Sequence, residues 1–512
     1  MNQNNLAITK THKLNESYSA IESTPQNIEA MFEYLRVERP GAYFDNLVKA
    51  GFKSPYDYFG RIQHGKLLVL NGHLQLLKTF GATYHQSESD YTESDIDEFL
   101  CDVKKILPFE PYDFQEKAFR ESLLNTKQIN KMCTSSGKSM TISLIAEFFR
   151  RRGKKGLLLV PNINLLTQFK NDIEDYNLID LHDDTHTIGG GNSDRHFDKS
   201  LTISTWQSLQ EKFASEIKLD ELDYVICDEA HRFASEVTSD IVSKTINCKY
   251  KWGFTGTLPE NPVQKMQLIG LFGLPKTYIT SRELIERGLA TPININSVIF
   301  KYSQSDKALF KESGVYTKQL VFIKEHEKRN EFIVNLSCRL RDKGNTLTLF
   351  QHTEHGKMLF IDIMKKLYPD VEVANKDITG KKSFEFQEQY GIYFLNGEDD
   401  AKTREKTRQI LENHEDAILI ANYAILSTGV NIKKLHNMVL ASPLKAYTTV
   451  TQSIGRLMRK HPSKSEANIF DLIDDFGYRK PGGIFYKQYQ HRKATSYNPE
   501  EYPVKEVDMA LY

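Results

Sequence analysis

The chain has 512 residues, 40% of them hydrophobic and 11% aromatic, which is too long for one ordinary domain and apolar enough for real cores. Composition excludes a disordered chain, and no apolar run is long enough to span a bilayer. Lys plus Arg and Asp plus Glu balance at 67 each, so any surface for nucleic acid has to be local.

The polar stretch Met1 to Ala20 lacks the apolar segment of a signal peptide, and a cytoplasmic protein is expected. The five cysteines are scattered, as small buried residues of a reducing compartment are. About residues 1–105 read as a small α+β N-terminal domain, with aromatics and basics in Gly41-Ala42-Tyr43-Phe44 and Tyr58-Phe59-Gly60-Arg61-Ile62. Within it, the acidic, serine-rich stretch Gln86 to Asp97 reads as a linker.

From about Pro108 the pattern alternates strand and helix. Strands are predicted at 128–132, 156–161, 201–206, 224–227 and 252–255, with helices at 140–151 and 165–176. The run Arg150-Arg151-Arg152-Gly153-Lys154-Lys155 reads as a solvated helix C-terminus, where cations complement the helix dipole. Residues about 281–300 read as a connection. A second series has strands at 347–351, 392–395, 417–421, 438–441 and 469–472, and helices at 355–367, 401–412 and 448–460. Continuous apolar strands between helices imply parallel sheets covered on both faces. The predicted fold class is therefore α/β, with two tandem parallel-sheet domains at 106–285 and 286–480 and a C-terminal tail at 481–512 expected to pack against the first domain.

Thr134, Ser135, Ser136, Gly137, Lys138 and Ser139 stand between a predicted strand and a helix. A phosphate loop works because consecutive backbone N–H groups and a helix N-terminus point at anionic oxygens. Lys138 would reach the β- and γ-phosphates of ATP, and the Ser139 hydroxyl would ligate Mg²⁺. The strict pattern wants a glycine where Met132 stands. Downstream, the apolar run Tyr224-Val225-Ile226-Cys227 leads into Asp228-Glu229-Ala230-His231. A buried strand ending in two acids is costly unless they serve a cation or a reaction. Asp228 would hold Mg²⁺ and Glu229 would orient and deprotonate the attacking water. Gln452, Arg456 and Arg459 are spaced to share one helix face, and arginine is suited to spreading γ-phosphate charge.

This set resembles a superfamily 2 helicase with two RecA-like domains, over roughly residues 108–475. Pro111-Tyr112-Asp113-Phe114-Gln115 resembles the Q motif, which implies Gln115 on the adenine base. Thr134 to Ser139 resembles motif I, and Asp228 to His231 the DEAH box. Pro161, Asn162 and Gln168 resemble motif Ia, and Ser204 and Thr205 the next contact with the nucleic-acid backbone. Gly253-Phe254-Thr255-Gly256-Thr257 resembles motif III. Phe350-Gln351-His352, Ser427-Thr428-Gly429-Val430-Asn431 and Gln452 to Arg459 resemble motifs IV, V and VI. The resemblance implies nucleotide contact at Gly429, nucleic-acid contact at His352 and Thr428, and an ATP site completed by the arginines of the second domain.

A closer similarity is to the UvsW-type helicases of bacteriophages. It rests on Gly189-Gly190-Gly191, His355-Gly356-Lys357, Asp471-Leu472-Ile473-Asp474-Asp475, and the N-terminal Phe59 to Ile62 and Asn71-Gly72. It implies an ATP-dependent DNA helicase, unwinding or branch-migrating forks, junctions and R-loops (and so meeting RNA within them) in recombination, repair and replication. A monomer with no membrane partner is expected. The sequence also admits a double-strand DNA translocase or a strand-annealing protein without net unwinding. A nuclease partner for such a translocase has only the fragment Asp102-Val103-Lys104 to draw on. Two departures stand out: Asn431 replaces the usual acid of motif V, and Ser135 replaces a glycine of motif I, where a loop with negative φ is the way to accommodate its Cβ.

Overall fold

The computed structural model describes residues 9–83, 87–189, 196–209, 218–379, 383–427, 432–443, 447–477 and 483–512. Two compact units divide the chain at Ile279/Thr280. No helix among the described residues is long and apolar enough to cross a membrane.

Unit 1 opens with a small module. Its strands are β1 (Lys10–Lys13), β2 (Tyr18–Glu22), β3 (Arg36–Glu38), β4 (Tyr56–Tyr58), β5 (Gly60–Gln63) and β6 (Lys66–Leu70). An antiparallel sheet of order β1-β2-β6-β5 covers the helix Pro25–Tyr34, and β3 pairs with β4. Thr24 caps that helix and Pro25 starts it, since proline's missing N–H costs nothing in the first turn. Alternation along β6 turns Leu67 and Val69 onto Ile21, Ile28, Met31 and Leu35.

This module is seated on the helix Pro262–Phe272 of the same unit. A Cβ on Gly72 would lie 1.8 Å from the Ile269 carbonyl oxygen, so only glycine allows that approach. His73 Nε2 bonds the Met266 carbonyl at 2.9 Å, and the buried Lys251 and Lys127 reach back to Ser17 (2.7 Å) and Glu16 (3.1 Å). The stretch expected to be a linker holds the start of a helix, Glu93–Val103. Thr92 and Asp95 form a reciprocal capping box there, so the acidic and hydroxyl residues serve a helix start. Asp102 lies on this helix, paired with Lys105 at 2.9 Å.

The main sheet of unit 1 has β7 (Lys127–Met132), β8 (Gly156–Val160), β9 (Thr185–Ile188), β10 (Leu201–Thr205), β11 (Tyr224–Asp228), β12 (Tyr250–Thr255) and β13 (Pro275–Ile279). All are parallel, in the order β13-β7-β12-β11-β8-β10-β9. The basic run 150–155 closes the helix Lys138–Arg150: Arg150 and Arg151 grip Glu147, and Arg152 lies 3.6 Å over the Phe148 ring.

Unit 2 repeats the plan with β14 (Ile293–Lys301), β15 (Thr346–Phe350), β16 (Ile392–Leu395), β17 (Ile418–Asn422), β18 (Asn437–Leu440), β19 (Ala467–Asp475) and β20 (Val504–Ala510), again all parallel, in the order β16-β17-β15-β18-β19-β14-β20. Two expectations change. The connection at 281–300 contains β14, which sits inside the sheet. The expected tail supplies the edge strand β20 and the helix Gly483–Arg492, held to unit 2 by Arg492 and Tyr497, both bonded to the buried Asp471. Asn345, just before β15, donates to the carbonyls of Leu411, His414 and Lys434 and accepts from Ala417 N–H, stitching four segments.

Candidate active site

Parallel strands deliver their following loops to one edge, and in open α/β sheets ligands bind at that carboxyl edge. Adjacent strands β7, β12 and β11 end there in the phosphate loop, in Thr255-Gly256-Thr257 and in Asp228-Glu229. The phosphate loop leaves β7 at Cys133 and enters the helix at Lys138, with Gly137 at φ 73° as its cap. Ser135 has φ 69°, so the loop keeps the left-handed conformation that favours glycine in spite of the Cβ. Glu229 has φ 50°. Non-glycine residues held in this region cost of order 1–3 kcal/mol and collect at working sites.

Gln115 is buried beneath the loop. Its Nε2 donates to the carbonyls of Ser136 (2.8 Å) and Gly137 (3.3 Å), and its Oε1 accepts from Tyr112 N–H at 2.9 Å. The amide expected on the adenine base also braces the phosphate loop. The Ser136 and Thr257 hydroxyls are buried without a partner among the described residues. Such orphans suit a loop built to receive phosphate oxygens.

Lys138 Nζ lies 3.9 Å from Glu229 Oε1, and Glu229 Oε2 lies 3.4 Å from His231 Nδ1. His231 Nδ1 meets Thr255 Oγ1 at 2.9 Å, and that hydroxyl donates to the Thr257 carbonyl at 2.6 Å. A Cβ on Gly256 would stand 3.2 Å from Thr134 N, so this loop lies directly on the phosphate loop. Burial draws the Asp228 carboxyl up to about 7; the Glu229 charge adds to this and Lys138 opposes it. Burial holds His231 down at about 4, so it is neutral at pH 7, with Glu229 pulling the other way. The His231–Thr255 link was absent from the expected site residues. Its signal was a histidine two residues beyond Glu229 and a threonine ending an apolar strand.

The expected nucleic-acid contacts lie at the same edge on the other half of the sheet. Pro161 and Asn162 follow β8, and Asn162 caps the helix Ile163–Tyr176, its Oδ1 accepting from Leu165 N–H at 3.0 Å. Gln168 is half-buried on that helix. Thr205 ends β10, and its hydroxyl meets Ser208 at 3.0 Å. Ser204 needs correction as a contact: it is wholly buried, its hydroxyl bonding the Ile188 carbonyl at 3.1 Å, so it holds β10 to β9.

In unit 2, His352 is exposed just beyond β15. Gln452 and Arg456 lie on the helix Tyr447–Leu457, but that helix ends before Arg459. The Met458 and Leu457 carbonyls are taken by Thr291 N–H (2.7 Å) and Lys464 Nζ (2.8 Å), and the Arg459 carbonyl by the Thr291 hydroxyl (3.2 Å). The single helix face expected for all three residues therefore stops at Arg456. Gly190, Gly191, Thr428, Gly429, Val430 and Asn431 lie outside the described residues.

Two seven-stranded parallel sheets, one carrying a phosphate loop after β7 and an acidic pair after β11 on either side of β12, define a motor of the two-domain RecA-like class. A family model described as "Type III restriction enzyme, res subunit" matches residues 108–260. The ATP-dependent DNA helicase UvsW of Enterobacteria phage T4 is 32% identical over 416 residues, 79% of this chain and 77% of that protein. A crystal structure of T4 UvsW, at 25% identity, covers 98% of this chain and 100% of that one with a TM-score of 0.46. A fragment of a type I restriction HsdR subunit from Vibrio vulnificus YJ016 shares the fold: TM-score 0.56, 17% identity, covering 82% of this chain and 72% of that one. The chain belongs to the UvsW family of superfamily 2 helicases.

Proposed function

We propose that this chain hydrolyses Mg²⁺–ATP to separate or branch-migrate DNA strands at forks, four-way junctions and R-loops. The observation that carries the reading is the run Lys138–Glu229–His231–Thr255 across the ends of three neighbouring strands, in a chain related to a protein named as an ATP-dependent DNA helicase. Such a run couples the γ-phosphate to a second strand end, which is what converting hydrolysis into movement requires.

In this reading Thr134 to Ser139, Gln115 and Gly429 hold the nucleotide. The Ser139 hydroxyl and Asp228 fit Mg²⁺, which takes one or two protein oxygens and completes its shell with phosphate and water; bound there, it would offset the phosphate charge. Glu229 orients and deprotonates the attacking water. The neutral His231 passes the position of Glu229 to Thr255. Gln452, Arg456 and Arg459 offset transition-state charge, and Arg459→Ala is expected to lower kcat by about 10³. Pro161, Asn162, Gln168, Thr205, His352 and Thr428 are assigned to the backbone of the nucleic acid, so substrates are chosen by structure and not by sequence.

We assign residues 1–105 to branch recognition, 106–285 and 286–480 to the two motor domains, and 481–512 to a C-terminal extension of the second. A monomer acting in the cytoplasm of the host cell is part of the same reading.

The test is ATP-dependent strand separation on a matched panel of linear duplex, fork, four-way junction and R-loop, with Lys138→Ala as control. Separation confined to the branched and R-loop substrates is the expected result. Strong DNA-stimulated hydrolysis with no separation on any of them would replace the helicase reading with a double-strand translocase.

A further inference from the structure

β14 runs parallel to β15, so both end at the carboxyl edge of the second sheet. His352 leaves that edge after β15. Beyond β14 the chain forms the helices Gln304–Glu312 and Tyr316–Glu325 before the helix Glu327–Arg341 leads back to β15. None of the family motifs falls on this helical pair.

The end of the second of these helices is tied down beside His352. Asn330 Nδ2 donates to the Lys324 carbonyl at 2.6 Å, and Asn330 Oδ1 accepts from His355 Nε2 at 3.0 Å. His355 lies one turn into the helix that begins after His352. Lys324 is close enough for its charge to help hold both histidines below their usual range, after burial as the larger cause.

Lys318 and Lys324 stand three residues either side of Val321, which is 41% exposed. Each is thus about 60° around the helix from it, and all three share the side turned to solvent. Lys318 is exposed and Lys324 half-buried. Neither forms an ion pair among the described residues, and the neighbouring carboxylate of Asp306 is held by Ser303 (2.6 Å) and His326 (3.6 Å). Lys324 beside an exposed histidine, with Lys318 six residues back on the solvent-turned side of the same helix, gives this ligand edge the local basic surface that a chain of zero net charge needs to hold a polyanion.

We propose that Lys318 and Lys324 form, with His352, an additional backbone-phosphate contact for single-stranded DNA in unit 2. The inference rests on the helicase reading. The assay is fluorescence anisotropy of a labelled oligo(dT) 20-mer with the full chain, titrated across salt, for wild type, Lys318→Gln, Lys324→Gln and Lys324→Arg.

One phosphate contact on a single strand contributes a slope of roughly 0.7 in log K against log salt, or about fivefold in affinity at 0.1 M. Each glutamine variant should lose about that factor and flatten the slope by about that amount, and Lys324→Arg should retain both. Lys318→Gln changes an exposed side chain, so its result is independent of folding. Unchanged affinity and slope in both glutamine variants, with wild type binding normally, would overturn this inference and leave the helicase reading intact. Absence of salt-sensitive binding by wild type would overturn the helicase reading and this inference with it.

Discussion

Removing the charge of Asp474 should destabilise unit 2 severely. Asp474 and Arg329 have wholly buried side chains. The carboxylate takes Arg329 Nε at 2.7 Å and Nη2 at 3.1 Å, and the Tyr302 hydroxyl at 2.6 Å, while Arg329 Nη1 reaches the Ala441 carbonyl at 2.9 Å. In Asp474→Asn the side chain keeps its size. The guanidinium is left without a counter-charge and faces an N–H donor. Breaking a buried pair this way costs about 3–5 kcal/mol. With a urea dependence of about 2 kcal/mol per molar, the midpoint should fall by roughly 2 M. The assay is urea unfolding followed by far-ultraviolet circular dichroism. Replacing both partners, Arg329→Met with Asp474→Leu, removes the stranded charge and should recover about 1–4 kcal/mol of the loss. An unchanged midpoint in Asp474→Asn, or a double variant no better than the single one, would refute the reasoning.

Burial holds His73 down at about 4, below an ordinary value of 6.5, with its bonds to the Met266 and Phe59 backbone opposing this. Between those values the unfolded chain binds the proton and the folded chain does not, so this contribution is complete above pH 6.5 and is lost as pH falls toward 4. It amounts to about 3 kcal/mol, and His73→Gln should flatten that part of a stability–pH profile. Gly72→Ala should unseat the N-terminal module, because its Cβ would overlap backbone oxygens; a melting point lowered by several degrees and faster cleavage by protease within residues 9–83 are expected. At Ser135, with φ 69°, glycine should retain hydrolysis, read by phosphate release, and leave the melting point equal or slightly higher, whereas valine should abolish nucleotide binding, read by calorimetry with a non-hydrolysable ATP analogue.

Most of both sheets was legible because buried parallel strands are unbroken apolar runs. Gly156 to Val160 and Thr346 to Phe350 are buried along their whole length. The strands that escaped notice carry polar residues for physical reasons. β9 and β13 are the two edges of the first sheet, and Pro275-Lys276-Thr277-Tyr278-Ile279 is largely exposed. β20, Val504 to Ala510, is a charged edge strand, the composition that discourages pairing with other chains. β14 begins with alternating polar residues after Pro292 and so read as a connection, although its last half is buried. At the site, contiguous motifs were readable because loop and acids each work within a few residues. The His231–Thr255 bond was not, because it depends on the pairing of β11 with β12, which sets Asp228 opposite Phe254. The end of the helix before Arg459 depends likewise on Thr291, distant in sequence, together with the nearby Lys464.

The central claim is that the edge shared by β7, β12 and β11 hydrolyses ATP in response to DNA. Its direct measurement is steady-state ATP hydrolysis with and without single-stranded DNA, for wild type, Lys138→Ala and Glu229→Gln. Wild type should be stimulated by DNA, Lys138→Ala should be inactive, and Glu229→Gln should lose a factor of about 10²–10⁴ in kcat by removal of its base. Hydrolysis at the wild-type rate in either variant would contradict the account.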